Sequence, residues 1–150
     1  MMFITHIGFA LLLGLLTVKF SPLPINQYLF IATIIFASLL PDIDSGTSLI
    51  GRRFKLASLF FKHRGMIHSI LFMIGFSVVF FLITKNFYYF LAFATGYLSH
   101  LLLDSMTPTG VAFFWPGKNR LRGIIYTAGA WDFLILLLFA ALDVLLIIKN

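Results

Sequence analysis

Long apolar runs alternate with short polar breaks along the chain. Phe3 to Val18 is apolar apart from Thr5, His6 and Thr17. Lys19 to Gln27, with Pro22 and Pro24, reads as a turn, and a second apolar run covers Tyr28 to Leu40. Ile70 to Thr84, Phe87 to Leu103 and Trp131 to Ile148 are three more. Such runs predict membrane-spanning helices, although a full span takes roughly 20 residues and the first two runs are short. The expected fold is an all-α membrane protein of about five transmembrane helices, with residues 1–150 forming a single integral-membrane domain. The first run has no basic leader and no good cleavage site after it, so it reads as a span rather than a signal peptide. Between the second and third runs, Phe54, Ala57 and Phe61 recur at helical spacing, flanked by Arg52, Arg53, Lys55 and Lys62. That pattern predicts a short interfacial amphipathic helix.

Composition supports the membrane reading. The chain is 61% hydrophobic and 11% charged, against roughly 45–50% and 25% in soluble domains. Cysteine is absent, which excludes disulfides, thiolate nucleophiles and Cys-based metal sites. Every acid is an aspartate: Asp42, Asp44, Asp104, Asp132 and Asp143. Any metal site must therefore use nitrogen and oxygen ligands. The net charge of +6 fits basic loops against anionic lipids, so membrane lipids are the expected partners and nucleic acid is not.

Charge also orients the spans. Arg52, Arg53, Lys55, Lys62 and Arg64 fall between the second and third spans, and Lys118, Arg120 and Arg122 between the fourth and fifth. The other side holds Lys19, Lys85 and Lys149. The positive-inside rule then places the N-terminus in the cytoplasm and the C-terminus outside. In that frame all four histidines, and every acid except Asp143, gather at the cytoplasmic face. Lys and Arg alone set the topology, so this convergence is an independent result. Ionisable groups near bilayer depth are costly and persist where they pair or bind something.

The most specific element is His100 with Asp104, four apart on one helical face. Asp42 and Asp44 point the same way if the backbone is extended after Pro41; otherwise Asp44 makes an Asx-turn with Ser45-Gly46. His63 and His68 lead into the third span, and His6 lies at the start of the first. His6, Asp42, Asp44, His63, His68, His100 and Asp104 form a ligand pool for one or two divalent ions, Zn²⁺ first, with Mn²⁺ or Fe as alternatives. Arg64 and the N-terminus of the third span offer a phosphate site. A metal there acidifies water and polarises a phosphoryl oxygen. Asp44 is the expected general base, with Asp104 as the alternative, and Arg64 the expected phosphate contact. Asp132 reads as an N-cap of the fifth span in preference to a second-layer partner of a ligand histidine.

Four motifs in this order, namely His6, Pro41-Asp42-Ile43-Asp44, His63-Arg64-Gly65-x-x-His68-Ser69, and Ser99-His100-x-x-x-Asp104-x-x-Thr107-x-x-Gly110, resemble the YdjM-like family. Its members are small bacterial inner-membrane proteins described as predicted metal-dependent hydrolases, distantly similar to zinc-dependent phospholipases C. The resemblance covers nearly the whole chain. Where the family often has Thr before the second histidine of the third motif, this chain has Ile67. The resemblance implies a hydrolase of the inner membrane whose His and Asp residues bind a metal, acting on a phosphoester of a lipid at the cytoplasmic face. Two non-enzymatic readings compete. A metal or proton transporter needs polar residues across the membrane, and the third and fifth spans offer almost none in their middles apart from Ser77 and Asp143. A regulatory scaffold needs only a structural metal without an open coordination position.

Overall fold

The structure, a computed structural model, describes residues 1–21, 23–44, 66–117 and 119–148, and of residues 43 and 44 the backbone alone. Five α-helices answer to the five apolar runs: α1 (Phe3–Phe20), α2 (Gln27–Leu39), α3 (Ile70–Thr84), α4 (Phe87–Ser105) and α5 (Ala130–Ile148). The described residues are all-helical apart from loops and turns, and Val111 and Leu121 form an isolated antiparallel bridge in the loop before α5. The expected amphipathic helix over residues 52–62 lies outside the described residues.

Local chemistry sets the helix ends. The Asn26 side chain accepts the Leu29 N–H at 3.1 Å and starts α2. Lys85, at φ 51°, closes α3 in the left-handed region, and the Asn86 side chain then accepts the Tyr88 N–H at 2.9 Å to start α4. After α2 the chain tightens into a 3₁₀ turn over Leu40–Asp44. Here the extended backbone expected after Pro41 is not found.

Among the described residues, two helices, α1 and α5, are long and apolar enough to cross a membrane. That is fewer than the five apolar runs suggest, for a physical reason. α2 has 13 residues and α3 has 15, so they reach only about 20 and 22 Å, short of the roughly 30 Å of bilayer hydrocarbon. Pro41, which does not suit a helix interior, lies two residues beyond α2. α4 has 19 residues, but its last two turns carry Ser99, His100, Asp104 and Ser105.

α4 is the central helix. It packs on α2, α3 and part of α1, while α5 packs on α1. Gly96 permits the closest of these approaches: a Cβ there would lie 2.1 Å from the Ile34 carbonyl oxygen. Ala92, one turn earlier, is fully buried like Ile34. Small residues at such a crossing let two backbones meet. On the other side Phe9 stacks on Phe139 at 4.9 Å, pairing α1 with α5. α2 and α4 run towards one end of the bundle and α1, α3 and α5 run away from it. Leu134, Leu138 and Leu145 of α5 and Val79 and Leu82 of α3 face outward, each more than half exposed.

Candidate metal centre

Every sequence-derived ligand that the structure describes arrives at that one end. His6 lies in the first turn of α1, Asp42 in the 3₁₀ turn after α2, His68 just before α3, and His100 and Asp104 in the last turns of α4. His6, His68, His100 and Asp104 are at most 1% exposed. Asp42 is the most open of the five, with 17% of its side chain exposed.

The Gly96 contact builds the centre directly. One turn beyond Gly96 is His100, and one turn beyond Ile34 is Ser38. His100 Nδ1 lies 2.7 Å from the Ser38 carbonyl oxygen. A carbonyl only accepts, so Nδ1 carries the proton and Nε2 presents its lone pair to the interior. Nε2 has no hydrogen-bond partner among the described residues although it is buried. A ring fixed through one nitrogen, with the other bare, is the arrangement that orients a metal-binding histidine.

The other donors face the same point. Asp104 turns Oδ1 to His6 Nε2 at 3.4 Å, and Oδ2 to His100 Nε2 at 3.7 Å and His68 Nε2 at 3.8 Å. Asp42 Oδ1 lies 3.9 Å from His100 Nε2. The His6 and His100 rings stack at 4.0 Å, and His68 meets His100 edge-on at 5.3 Å. The amino group of Met1 also touches Asp104 Oδ1. His6, His100 and Asp104 each offer a ligand atom within 4.8 Å of the others, and so do Asp42, His68 and His100. Around a divalent ion with donors at about 2.0–2.2 Å, neighbouring donors lie roughly 3 to 4.4 Å apart. The measured separations and the bare His100 Nε2 fit such an ion. Burial pushes the Asp42 carboxyl above its ordinary range, with His6 and His68 opposing the push and Asp104 adding to it.

A layer of partners holds these ligands; of these, Thr107 belongs to a motif already singled out and Thr5 and Tyr97 do not. Tyr97 is fully buried, and its hydroxyl donates to the Ile67 carbonyl at 2.6 Å, one residue before His68. Thr107 returns both its N–H and its hydroxyl to the Asp104 carbonyl, at 3.1 and 2.7 Å. Thr5, beside His6, donates its hydroxyl to Asp132 Oδ1 at 2.8 Å. The one available signal was adjacency: Thr5, Gly96 and Tyr97 lie within a turn of a ligand.

Asp132 is not the N-cap of α5 but sits within its first turn. Its Oδ2 accepts the Ala128 and Met2 N–H groups, each at 2.9 Å. It thereby ties the start of α5 to the start of α1. At α3 the helix N-terminus expected to receive phosphate is largely occupied by the protein. The Ile70 N–H donates to the Phe113 carbonyl at 3.0 Å, and the Phe72 N–H donates to the Ser69 hydroxyl. His63 and Arg64, the Asp44 side chain, and the alternative Asx-turn over Ser45-Gly46 lie outside the described residues.

A model of the YdjM inner membrane protein family matches residues 1–149. The inner membrane protein YdjM of Escherichia coli (strain K12) is 39% identical over 97 residues, which cover 59% of this chain and 50% of that protein. The protein of the same name from Shigella flexneri matches equally well. The uncharacterized protein YvsG of Bacillus subtilis (strain 168) is 35% identical over 97 residues, covering 59% of this chain and 58% of YvsG. The match with the two YdjM proteins thus spans about half their length. No solved structure matches the chain.

Proposed function

The chain belongs to the YdjM inner membrane protein family, and from that premise we propose that it is a membrane-embedded, metal-dependent hydrolase acting on a lipid phosphoester at the cytoplasmic face. The observation that carries this reading is the convergence of His6, Asp42, His68, His100 and Asp104 from four segments, with His100 Nε2 buried and bare.

Three imidazoles and two carboxylates form a nitrogen–oxygen donor set that suits Zn²⁺ first, with Mn²⁺ or Fe next. Burial penalises unbalanced charge, so carboxylates gathered here call for a compensating cation, one or two divalent ions. Asp44 and His63 belong to the proposed donor set, with Asp44 the proposed general base and Arg64 a proposed phosphate contact. When bound, the ion supplies Lewis-acid chemistry, acidifying water and polarising a phosphoryl oxygen. The chain's own residues do the rest. His68, His100 and Asp104 hold the centre from inside, and Asp42, the most open of the five, marks its mouth.

In this reading residues 1–150 form one integral-membrane domain and all five helices cross the bilayer, the short α2 and α3 with local thinning. The N-terminus is inside and the C-terminus outside, from the distribution of Lys and Arg. The competing reading is a non-enzymatic membrane protein with a structural metal, which the near-complete burial of His68, His100 and Asp104 favours.

Reconstitution separates the two. Metal-loaded protein in nanodiscs is expected to release a phosphorylated or dephosphorylated headgroup product, detected by mass spectrometry. The release should stop on chelation and return with Zn²⁺. Fully metal-loaded protein that releases nothing from a panel of phospholipids would leave the structural-metal reading standing.

A further inference from the structure

We propose that Arg120 binds the phosphate group of the substrate beside the metal centre, an inference that rests on the phosphoester reading. A phosphate anion arriving beside the carboxylates of Asp42 and Asp104 needs cationic contacts besides the metal at this membrane boundary, and Arg120 would share that task with the proposed Arg64. The basic residues among those described are Lys19, Lys85, Arg120 and Arg122. Lys19 is in the last turn of α1 and Lys85 caps the end of α3, both at the opposite end of the bundle. Arg120 and Arg122 lie in the loop that follows Asp104.

That loop is a built platform. Val111 and Leu121 exchange both backbone hydrogen bonds at 3.0 Å, the Gly123 N–H donates to the Thr107 carbonyl at 3.1 Å, and the Ile125 N–H to the Met106 carbonyl at 2.9 Å. Residues 121–125 are thus laced onto residues 106–111, the segment directly after the ligand. Two glycines make the approach possible. At Gly110, which has φ +59°, a Cβ would lie 2.2 Å from the Leu121 carbonyl oxygen, and at Gly123 2.2 Å from that of Met106.

Arg120 sits half-buried at the edge of this platform. Its Nη1 donates to the Thr109 carbonyl at 3.3 Å, the Thr109 hydroxyl lies 3.2 Å from that of Thr107, and Thr107 donates to the Asp104 carbonyl. One anchored N–H orients the guanidinium and leaves its remaining donors for a bidentate grip on phosphate. Arg122 is exposed and stretches its stem along Gly110.

The test uses the full, metal-loaded chain with two probes: soluble glycerol 3-phosphate, and phosphatidic acid in nanodiscs. Arg120→Gln is expected to weaken binding about tenfold with metal content unchanged, and Arg120→Lys to recover only part, since lysine lacks the fork. Arg122→Gln should change affinity less than about twofold, as expected of an exposed surface charge. A loss seen with both probes identifies a free phosphate ligand, and a loss confined to the nanodiscs identifies a lipid headgroup. Undiminished binding by Arg120→Gln overturns the proposal, as does a loss of affinity that merely tracks lost metal. Wild-type protein that carries metal yet binds neither probe overturns the phosphoester reading itself, and this inference with it.

Discussion

The two ends of the helix bundle handle polar residues in opposite ways. At one end Lys19, Asn26, Gln27 and Lys85 are exposed, and Asn26 and Asn86 cap helices. Local backbone needs account for them. At the other end His6, His68, His100, Asp104 and Asp132 are buried. Of these, Asp132 ties α5 to α1, whereas the ligand-type groups face one another. Burying Asp104, with the partly buried Asp42, among three imidazoles costs stability unless something compensates their charge. The difference teaches that the capped end is built for folding and the buried end for binding.

Substitutions sharpen that contrast. The largest effect belongs to Gly96→Val. The new side chain would meet the Ile34 carbonyl, so α2 and α4 must part and His100 must leave Ser38. Overpacking of this kind costs about 1–3 kcal/mol, and loss of the partner that orients a ligand weakens metal affinity roughly 10–100-fold. Thermal unfolding and metal titration read the two effects separately. Asp132→Ala comes next, because it strands the Thr5 hydroxyl and the Met2 and Ala128 N–H groups. A cost of about 1–3 kcal/mol is expected, with a smaller drop in metal affinity transmitted through His6; Asp132→Asn should restore part of both. Asn86→Ala is the smallest change. Loss of the cap costs about 1 kcal/mol and should leave metal affinity untouched. A metal defect as large as that of Asp132→Ala would erase the distinction between the ends.

Much of this was legible in the residues. Ile70 to Thr84 was placed to the residue, and the other helix ends to within a few positions, because apolar runs and their polar breaks mark helices directly. The gathering of His6, Asp42, His68, His100 and Asp104 followed from alternating helix direction, which needs no knowledge of packing. What the pattern does not carry is pairwise approach. Nothing in the sequence says that Gly96 faces Ile34 or that Tyr97 reaches the Ile67 carbonyl, since those depend on which helix lies beside which. The residues after Pro41 leave open whether the chain extends or tightens, because Pro suits both, and packing selects the 3₁₀ turn. Apolarity alone gave no sign that α2 and α3 are shorter than the bilayer's hydrocarbon thickness.

The most direct measurement is the metal content of the purified protein beside that of a His100→Ala/Asp104→Ala double variant. Wild-type protein should carry about one or two tightly held divalent ions per chain, and the double variant, folded in the same detergent, essentially none. Wild-type protein that stays metal-free when offered Zn²⁺, Mn²⁺ or Fe²⁺, or a double variant that retains its full complement, would contradict the metal centre.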